Sequence, residues 1–273
     1  ETGGRVELLA LQLLEDSSFV AMTRSSKGLR TGRKLTLART GVELLVAELL
    51  EGGRARLQAP SGTQLMTLFE EEGTTPLPPY IRREALADDG ADRERYQTIF
   101  AREPGSVAAP TAGLHFTPAV RESVRKLGCR LAPVTLHVGP GTFQPVRVDT
   151  VESHKMEGEH YTVPEETAAA VNSARSEDRP VLAIGTTTVR TLESAAAEGV
   201  KIAAGPGYSE LFIYPGFRFR AVDRLLTNFH LPGSTLLMLV SALAGRELVM
   251  SAYEEAVRER YRFYSYGDCM LVL

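Results

Sequence analysis

The chain contains no tryptophan and only two cysteines, Cys129 and Cys269. Two thiols so far apart argue against a disulfide framework and fit reduced, structural cysteines in a cytosolic protein. No CxxC or HExxH spacing occurs, so the ordinary metal-ligand motifs are absent and no metal is expected. Strong charge of one sign is lacking as well: 31 Lys and Arg stand against 34 Asp and Glu, a formal net charge of −3. That balance does not announce a nucleic-acid binder, whose phosphate partner demands local positive charge, although one basic patch is enough. Long hydrophobic runs are missing. The longest small-and-apolar stretch, Ser234 to Gly245, is too short to cross a bilayer and reads as a buried helix. No signal peptide is visible. These absences point to a cytoplasmic protein with no membrane partner. The chain begins with Glu1 rather than Met and runs almost at once into the strand-like Arg5 to Leu14. Such a start looks like the middle of a protein, and a segment before it is expected.

What is present is enough for a core. Of 273 residues, 43% are hydrophobic and 24% charged, which suits one large domain or two unequal ones. Short β-branched or Leu-rich runs come first: Val6 to Leu14, Phe19 to Arg24, Lys34 to Leu37, Gly41 to Leu50 and Arg54 to Leu57. Turn-forming clusters separate them, which predicts a small β-barrel over residues 1–75. Leu13 to Asp16 and Leu44 to Leu50 are ambiguous, because Leu and Glu also favour helix. Gln64 to Glu72 reads as a short helix. Pro76, Pro78 and Pro79 then fix an extended link, and the domain boundary is placed there. Arg82 to Pro104 is polar and charged, a surface segment with a short helix near Asp92 to Phe100.

Strands and helices alternate beyond that point. Pro118 to Leu127, Pro164 to Arg175, Val189 to Ala197, Ser234 to Ala244 and Ala252 to Arg260 read as helices. Leu131 to Val138, Val181 to Ile184, Glu210 to Tyr214 and Met270 to Leu273 read as strands, and Ala221 to Thr227 as a strand or helix turn. This rhythm predicts an α/β fold for residues 76–273, a mostly parallel sheet with helices on both faces.

Three of the five histidines lie where a short apolar run meets a Gly/Pro turn. They are His115 in Pro110–Phe116, His137 in Leu136–Phe143 and His230 in Thr227–Ser234. In α/β proteins such junctions fall at sheet rims, where ligand crevices form, and histidine suits proton transfer near neutral pH. The bland alternative is that each His fills a turn. Pro180 to Arg190 reads strand, Gly185, then Thr186, Thr187 and Thr188, then helix. A helix N-terminus with added hydroxyl donors binds a carboxylate or phosphate, although one Thr would suffice as a cap. The segment is neither GxGxxG nor a P-loop. Asn228 can read an amide or a base edge. Arg24, Lys27, Arg30, Arg33 and Lys34 run with no acid among them, either a solvated loop or a phosphate contact. Arg258, Arg260 and Arg262 interleave with Tyr261, Phe263, Tyr264 and Tyr266, which suits nucleotide stacking or a C-terminal core equally.

The segments Ala109–Thr117, Thr135–Gly139, Gly185–Thr187 with Val189 and Arg190, Leu226–Pro232 and Tyr264–Asp268 carry a specific likeness, and Pro76–Ile81 adds to it. In them the chain resembles the S-adenosylmethionine:tRNA ribosyltransferase-isomerases of queuosine biosynthesis. The resemblance implies an α/β domain with an inserted small β-barrel. It also implies an Asn-Asp-Thr-Arg-Val-like opening segment before Glu1. Pro140 is a departure, since relatives commonly carry another residue between the glycines.

The activity so implied moves the ribosyl group, not the methyl, of S-adenosylmethionine. The acceptor is the aminomethyl group of a 7-deazaguanine in the anticodon wobble position of tRNA. The products are epoxyqueuosine-tRNA, adenine and methionine. The chemistry needs a base for the carbon next to the sulfonium, assistance to departing adenine, and donors for the methionyl carboxylate. The expected catalytic residues are His230, His137 and His115. Gly185, Thr186, Thr187, Arg190 and Asn228 are expected to bind S-adenosylmethionine, without metal. The protein is expected to act as a monomer. The competing readings are another S-adenosylmethionine enzyme acting on RNA, such as a methyltransferase, and a non-catalytic tRNA-binding protein.

Overall fold

The computed structural model describes residues 4–78, 80–81, 90–139, 150–154, 156–196 and 201–273. The readings made on Pro79, on 82–89, on Pro140 to Phe143, on Lys155 and on Ala197 lie outside them. The chain forms two compact units, Glu1–Arg93 and Glu94–Leu273.

The first unit holds β1 (Val6–Leu13), β2 (Ser18–Ser25), β3 (Lys34–Thr36), β4 (Glu43–Leu50), β5 (Arg54–Gln58) and α1 (Leu65–Glu72). Every pairing in its sheet is antiparallel, in the order β1-β2-β5-β4-β3. The ambiguous run Leu44 to Leu50 is strand, and its burial shows why. Leu44 and Val46 are buried while Leu45 between them is exposed, a period of two that a helix does not give. Phe19, Ala21, Leu44, Val46, Ala55 and Leu57 form the core with Leu65 and Leu68 of α1. The Glu72 carboxylate at the end of α1 accepts from the backbone N–H groups of Ala38, Arg39 and Thr40, pinning the β3–β4 turn.

The expected barrel is instead an open sheet, with β1 and β3 as edges and no pairing between them among the described residues. Short strands and tight turns specify hairpins. Closure needs in addition a paired first and last strand in a staggered register, and β3 is only three residues long.

The helix α2 (Gly90–Arg95) leads into the second unit. There follow α3 (Pro118–Lys126), β6 (Thr135–Leu136), β7 (Glu159–Val163), α4 (Glu165–Ser176), β8 (Leu182–Ile184), α5 (Thr186–Ala195), β9 (Gly205–Ser209), β10 (Arg224–Asn228), α6 (Thr235–Ala244), α7 (Arg246–Arg258) and β11 (Cys269–Val272). Thr117 caps α3 by accepting from Val120 N at 3.2 Å, with Pro118 in the first turn. Ser234 caps α6 in the same way. Gly245, at φ 84°, ends α6 and begins α7, and the two helices bend by 115° about it. Among the described residues no single helix is long and apolar enough to cross a membrane.

The expected mostly parallel sheet with helices on both faces is not what forms. The strands divide into two three-stranded sheets, β11-β10-β8 and β6-β7-β9. Of their pairings only β8–β10 is parallel; β10–β11, β6–β7 and β7–β9 are antiparallel. Alternation of strand and helix in sequence does not fix which strands become neighbours. The helix α4 runs between β7 and β8, yet these strands belong to different sheets. Glu210 to Tyr214, expected as a strand, is not one. The strand lies upstream at Gly205–Ser209, where two glycines and a proline hide its character. Leu131 to Val138 shrinks to a two-residue strand. Beneath both sheets lies one core that includes Val163, Ala183, Val189, Leu192, Ile213, Leu225, Phe229, Leu239 and Val240.

Candidate functional site

The parallel pair β8–β10 sets the site. At its end Gly185 leaves β8 with its N–H donating to Leu226 O at 2.9 Å. It does so at φ 93° and ψ 147°, a conformation open in practice only to glycine. The chain then turns directly into α5. Among the described residues no side chain caps this N-terminus, which leaves its first N–H groups and positive dipole end without a capping partner. Thr186 and Thr187 are buried as residues, yet neither hydroxyl has a hydrogen-bond partner among the described residues. Thr188 is occupied, since its hydroxyl donates to Ile184 O at 2.8 Å. Two hydroxyls and a bare helix N-terminus make a donor set suited to a carboxylate.

The neighbouring wall is the tight turn Thr111–His115. A Cβ placed on Gly185 would lie 3.6 Å from the Ala112 side chain, so this turn sits directly beside the start of α5. Asn228, the last residue of β10, ties the turn down. Its Oδ1 accepts from Thr111 Oγ1 at 3.1 Å, and its Nδ2 contacts His115 Nε2 at 2.8 Å and donates to Tyr264 O at 3.2 Å. Tyr264 has φ 71°, an outlier for a bulky residue. The strain is held by its N–H, which donates to Phe229 O, and by its carbonyl, which accepts from Asn228. Burial lowers the His115 pKa, and the negative charge of Asp268 works against that shift. Asp268 itself is kept ionised by Arg262, whose backbone N–H donates to it at 2.7 Å and whose guanidinium donates at 3.1 Å.

Two residues beyond Asn228, the His230 ring Nε2 contacts Thr227 Oγ1 at 2.8 Å, and its backbone N–H donates to Tyr253 OH at 2.8 Å. His230 keeps a little solvent exposure, but burial of its imidazole pushes the pKa down to about 4. It is therefore neutral at pH 7, as a proton acceptor must be.

His137 arrives by another route. Its backbone N–H donates to His160 O at 3.0 Å, and a Cβ on Gly105 would lie 3.1 Å from its ring. The next residues are held from two sides: Val138 N donates to Ser106 Oγ at 2.8 Å, and Gly139 N to Glu159 Oε1 at 3.2 Å. Glu159 in turn accepts from Arg190 of α5 at 2.6 Å. The structure thus joins His115, Asn228, Gly185 and the α5 start directly, places His230 on the same strand end, and links His137 to α5 through an ion pair. Arg190 spends its guanidinium inside the protein, on Glu159, Leu211 O and Ser209 O.

Thr111, Tyr264, Glu159 and Asp268 belong to this arrangement although the sequence reading assigns them no role at the site. Glu159 carries a signal: it lies on the same face of β7 as Tyr161 and Val163, and an acid on an inward strand face needs a buried partner. Among the described residues no group of three or more His, Cys, Asp or Glu is arranged to hold a metal. Of the C-terminal aromatics, Phe263 packs against the core, 4.9 Å from Phe229 and 5.7 Å from Tyr253, while Tyr261 is exposed. In the first unit, Arg24, Lys27 and Arg30 are exposed, Arg33 is half-buried, and Lys34 pairs with Glu43 at 2.9 Å.

Comparison with known proteins covers almost every residue. The profile of the family described as queuosine biosynthesis protein matches residues 1–272. A protein of Syntrophotalea carbinolica named S-adenosylmethionine:tRNA ribosyltransferase-isomerase is 51% identical over 275 residues, spanning 100% of this chain and 79% of its own. A protein of that name from Geobacter sulfurreducens is 50% identical, with the same coverage. A crystal structure of S-adenosylmethionine tRNA ribosyltransferase from Thermotoga maritima matches at 33% identity and TM-score 0.48, over 99% of this chain and 76% of that one. A profile match from end to end, joined to relatives half identical over the whole length, places this chain in the queuosine biosynthesis protein family.

Proposed function

We propose that the protein transfers and isomerises the ribosyl moiety of S-adenosylmethionine onto 7-aminomethyl-7-deazaguanine in tRNA, giving epoxyqueuosine-tRNA, adenine and methionine. The observation that carries this is the identity of about half of all positions, over the whole chain, with enzymes named for that reaction. S-adenosylmethionine is the ribosyl donor and tRNA the acceptor.

The roles of individual residues form the finer part of the proposal. Gly185, Thr186 and Thr187 hold the methionyl carboxylate of S-adenosylmethionine, because the α5 start and two hydroxyls, without partners among the described residues, supply donors without reorganisation. Asn228 completes that wall. Arg190 acts on the donor site through Glu159, keeping the first turns of α5 fixed against Gly139. His230, His137 and His115 supply proton transfer and hydrogen bonding to the reacting groups. Residues 1–75 carry the basic loop Arg24 to Lys34, which contacts the tRNA backbone, while residues 76–273 perform the chemistry. The anticodon region is the part of tRNA engaged, and the protein works as a cytoplasmic monomer.

Incubating the protein with S-adenosylmethionine and a tRNA bearing the aminomethyl-deazaguanine tests the reading. Stoichiometric adenine and methionine are expected. Release of S-adenosylhomocysteine would identify a methyltransferase instead. Turnover of neither kind, with tRNA still bound and no shift of melting temperature on adding S-adenosylmethionine, would leave a tRNA-binding protein.

A further inference from the structure

The hydrogen bonds around Asn228 decide which nitrogen of His115 carries its proton. Tyr264 O is a carbonyl and can only accept, and it lies 3.2 Å from one end of the Asn228 amide. That end must be the NH2 group. The other end faces Thr111 Oγ1 at 3.1 Å, a hydroxyl free to donate to the amide oxygen. The NH2 group has two hydrogens; one goes to Tyr264 O, and the second points at His115 Nε2, 2.8 Å away. A donor there requires a lone pair on Nε2. An N–H at the same nitrogen would set two hydrogens against each other across a hydrogen-bond distance in a site where Asn228 is only 3% exposed. The proton of a neutral His115 therefore sits on Nδ1, and Nδ1 has no partner among the described residues.

We propose that Asn228 is a positioning residue that locks His115 in the neutral Nδ1–H form, so that His115 serves the reaction as a hydrogen-bond donor through Nδ1 and not as its proton-abstracting base. The assignment deepens the ribosyl-transfer reading and rests on it for the word reaction. It divides labour among the three histidines: the base is His230 or His137, and His115 is left to stabilise a lone pair or a developing negative charge, such as that on departing adenine. Three features make the lock stiff. Asn228 ends a strand paired on both sides, to β8 and β11. Its oxygen is fixed by Thr111, from the same turn that carries His115. Its third partner is the strained carbonyl of Tyr264. Among the described residues the charged group acting on His115 is Asp268, already engaged by Arg262. Its field favours the imidazolium, and the Asn228 donor opposes it.

The test is the 15N chemical-shift pattern of the histidine side chains in the uniformly labelled protein, with His115→Gln used to assign the signal. The Nδ1–H pattern for His115 is expected at pH 8, where the imidazole is neutral. In Asn228→Asp the facing donor becomes an acceptor, and His115 should move to a form protonated at Nε2. In Asn228→Ala the donor is lost and a mixture of tautomers should appear. Adenine release at saturating S-adenosylmethionine should fall about 10²-fold in Asn228→Asp, an order typical of a misplaced acid–base group. A wild-type His115 protonated at Nε2, or an Asn228→Asp signal identical to wild type, would overturn the proposal. Because the tautomer is read without turnover, a wild-type protein that releases no adenine would count against the functional reading and not against the lock.

Discussion

Glu159 Oε2 and Arg190 Nη1 stand 2.6 Å apart in an ion pair whose side chains are only 5% and 4% exposed. The pair crosses from β7 to α5. Arg190 also donates to Ser209 O of β9 and to Leu211 O, and Glu159 accepts from Gly139 N, so one buried ion pair anchors several chain segments. Removing one member leaves an uncompensated buried charge. Arg190→Met is therefore expected to cost about 3–5 kcal/mol in urea denaturation. The double variant Glu159→Leu/Arg190→Met should be less destabilised than the sum of the two single changes. Strict additivity would mean that the two charges are not coupled.

At the α5 start, Thr186→Val combined with Thr187→Val keeps shape and removes two donors. S-adenosylmethionine binding should weaken by about 1–3 kcal/mol, measured by calorimetry, the usual cost of hydrogen bonds removed from a polar site. Thr188→Val serves as the control, because its hydroxyl is already spent on Ile184 O. Equal losses from both variants would show that the hydroxyls act by holding the helix and not by binding the ligand.

The turns that build the candidate site are more legible in the sequence than the fold. Gly185, Asn228 and His115 lie far apart in the chain but each marks a strand end or a tight turn, and punctuation of that kind is local. It survives any misjudgement of sheet topology. A parallel sheet is the wrong reading because strand direction and neighbour choice are tertiary facts: nothing in Gly205–Ser209 announces that it pairs antiparallel with β7, and nothing in β7 itself says that it leaves β8 for another sheet. The buried pair is half legible. The acid at 159 and the cation at 190 are visible, but they stand 31 positions apart in sequence, and only the packing of α5 against β6 and β9, the strands on either side of β7, brings them together. The open sheet is legible strand by strand, as Leu44 and Val46 show, while its failure to close is not.

The basic loop between β2 and β3 gives a separate test. Lys27→Glu with Arg30→Glu should weaken tRNA binding and reduce the slope of log affinity against log salt by roughly 2, about one for each phosphate no longer neutralised. Both side chains are exposed, so stability should hardly change. An unaltered salt slope would assign the loop to solvent alone.

His230 makes stability depend on pH in a defined direction. Its folded pKa is about 4 against an ordinary 6.5, so between these values the unfolded chain binds a proton that the native protein does not. Stability is then present in full above about pH 6.5 and is lost as pH falls towards 4, by about 3 kcal/mol in all. His230→Gln, which cannot titrate, should flatten that part of the profile in a pH series of denaturation curves. A profile unchanged by the substitution would mean that other groups govern the acid limb.

The same histidine is the strongest candidate for the base. It is neutral at pH 7, it lies two residues from Asn228, and its ring is oriented by Thr227 Oγ1 while its backbone is held independently by Tyr253 OH. His230→Ala removes the ring but keeps the backbone anchor, so the fold should survive with a loss of about 1–3 kcal/mol. Adenine release should nevertheless fall by about 10²–10⁴-fold, the range for a general acid–base group. S-adenosylmethionine affinity should change much less, because the interaction removed belongs to the transition state. His137→Ala, assayed beside it, separates the two remaining candidates: the base is the one whose loss abolishes the pH dependence of kcat as well as its size. Should His230→Ala and His137→Ala both keep near-normal adenine release, or lose it only in step with melting temperature, these histidines hold turns and the proton is taken by another group.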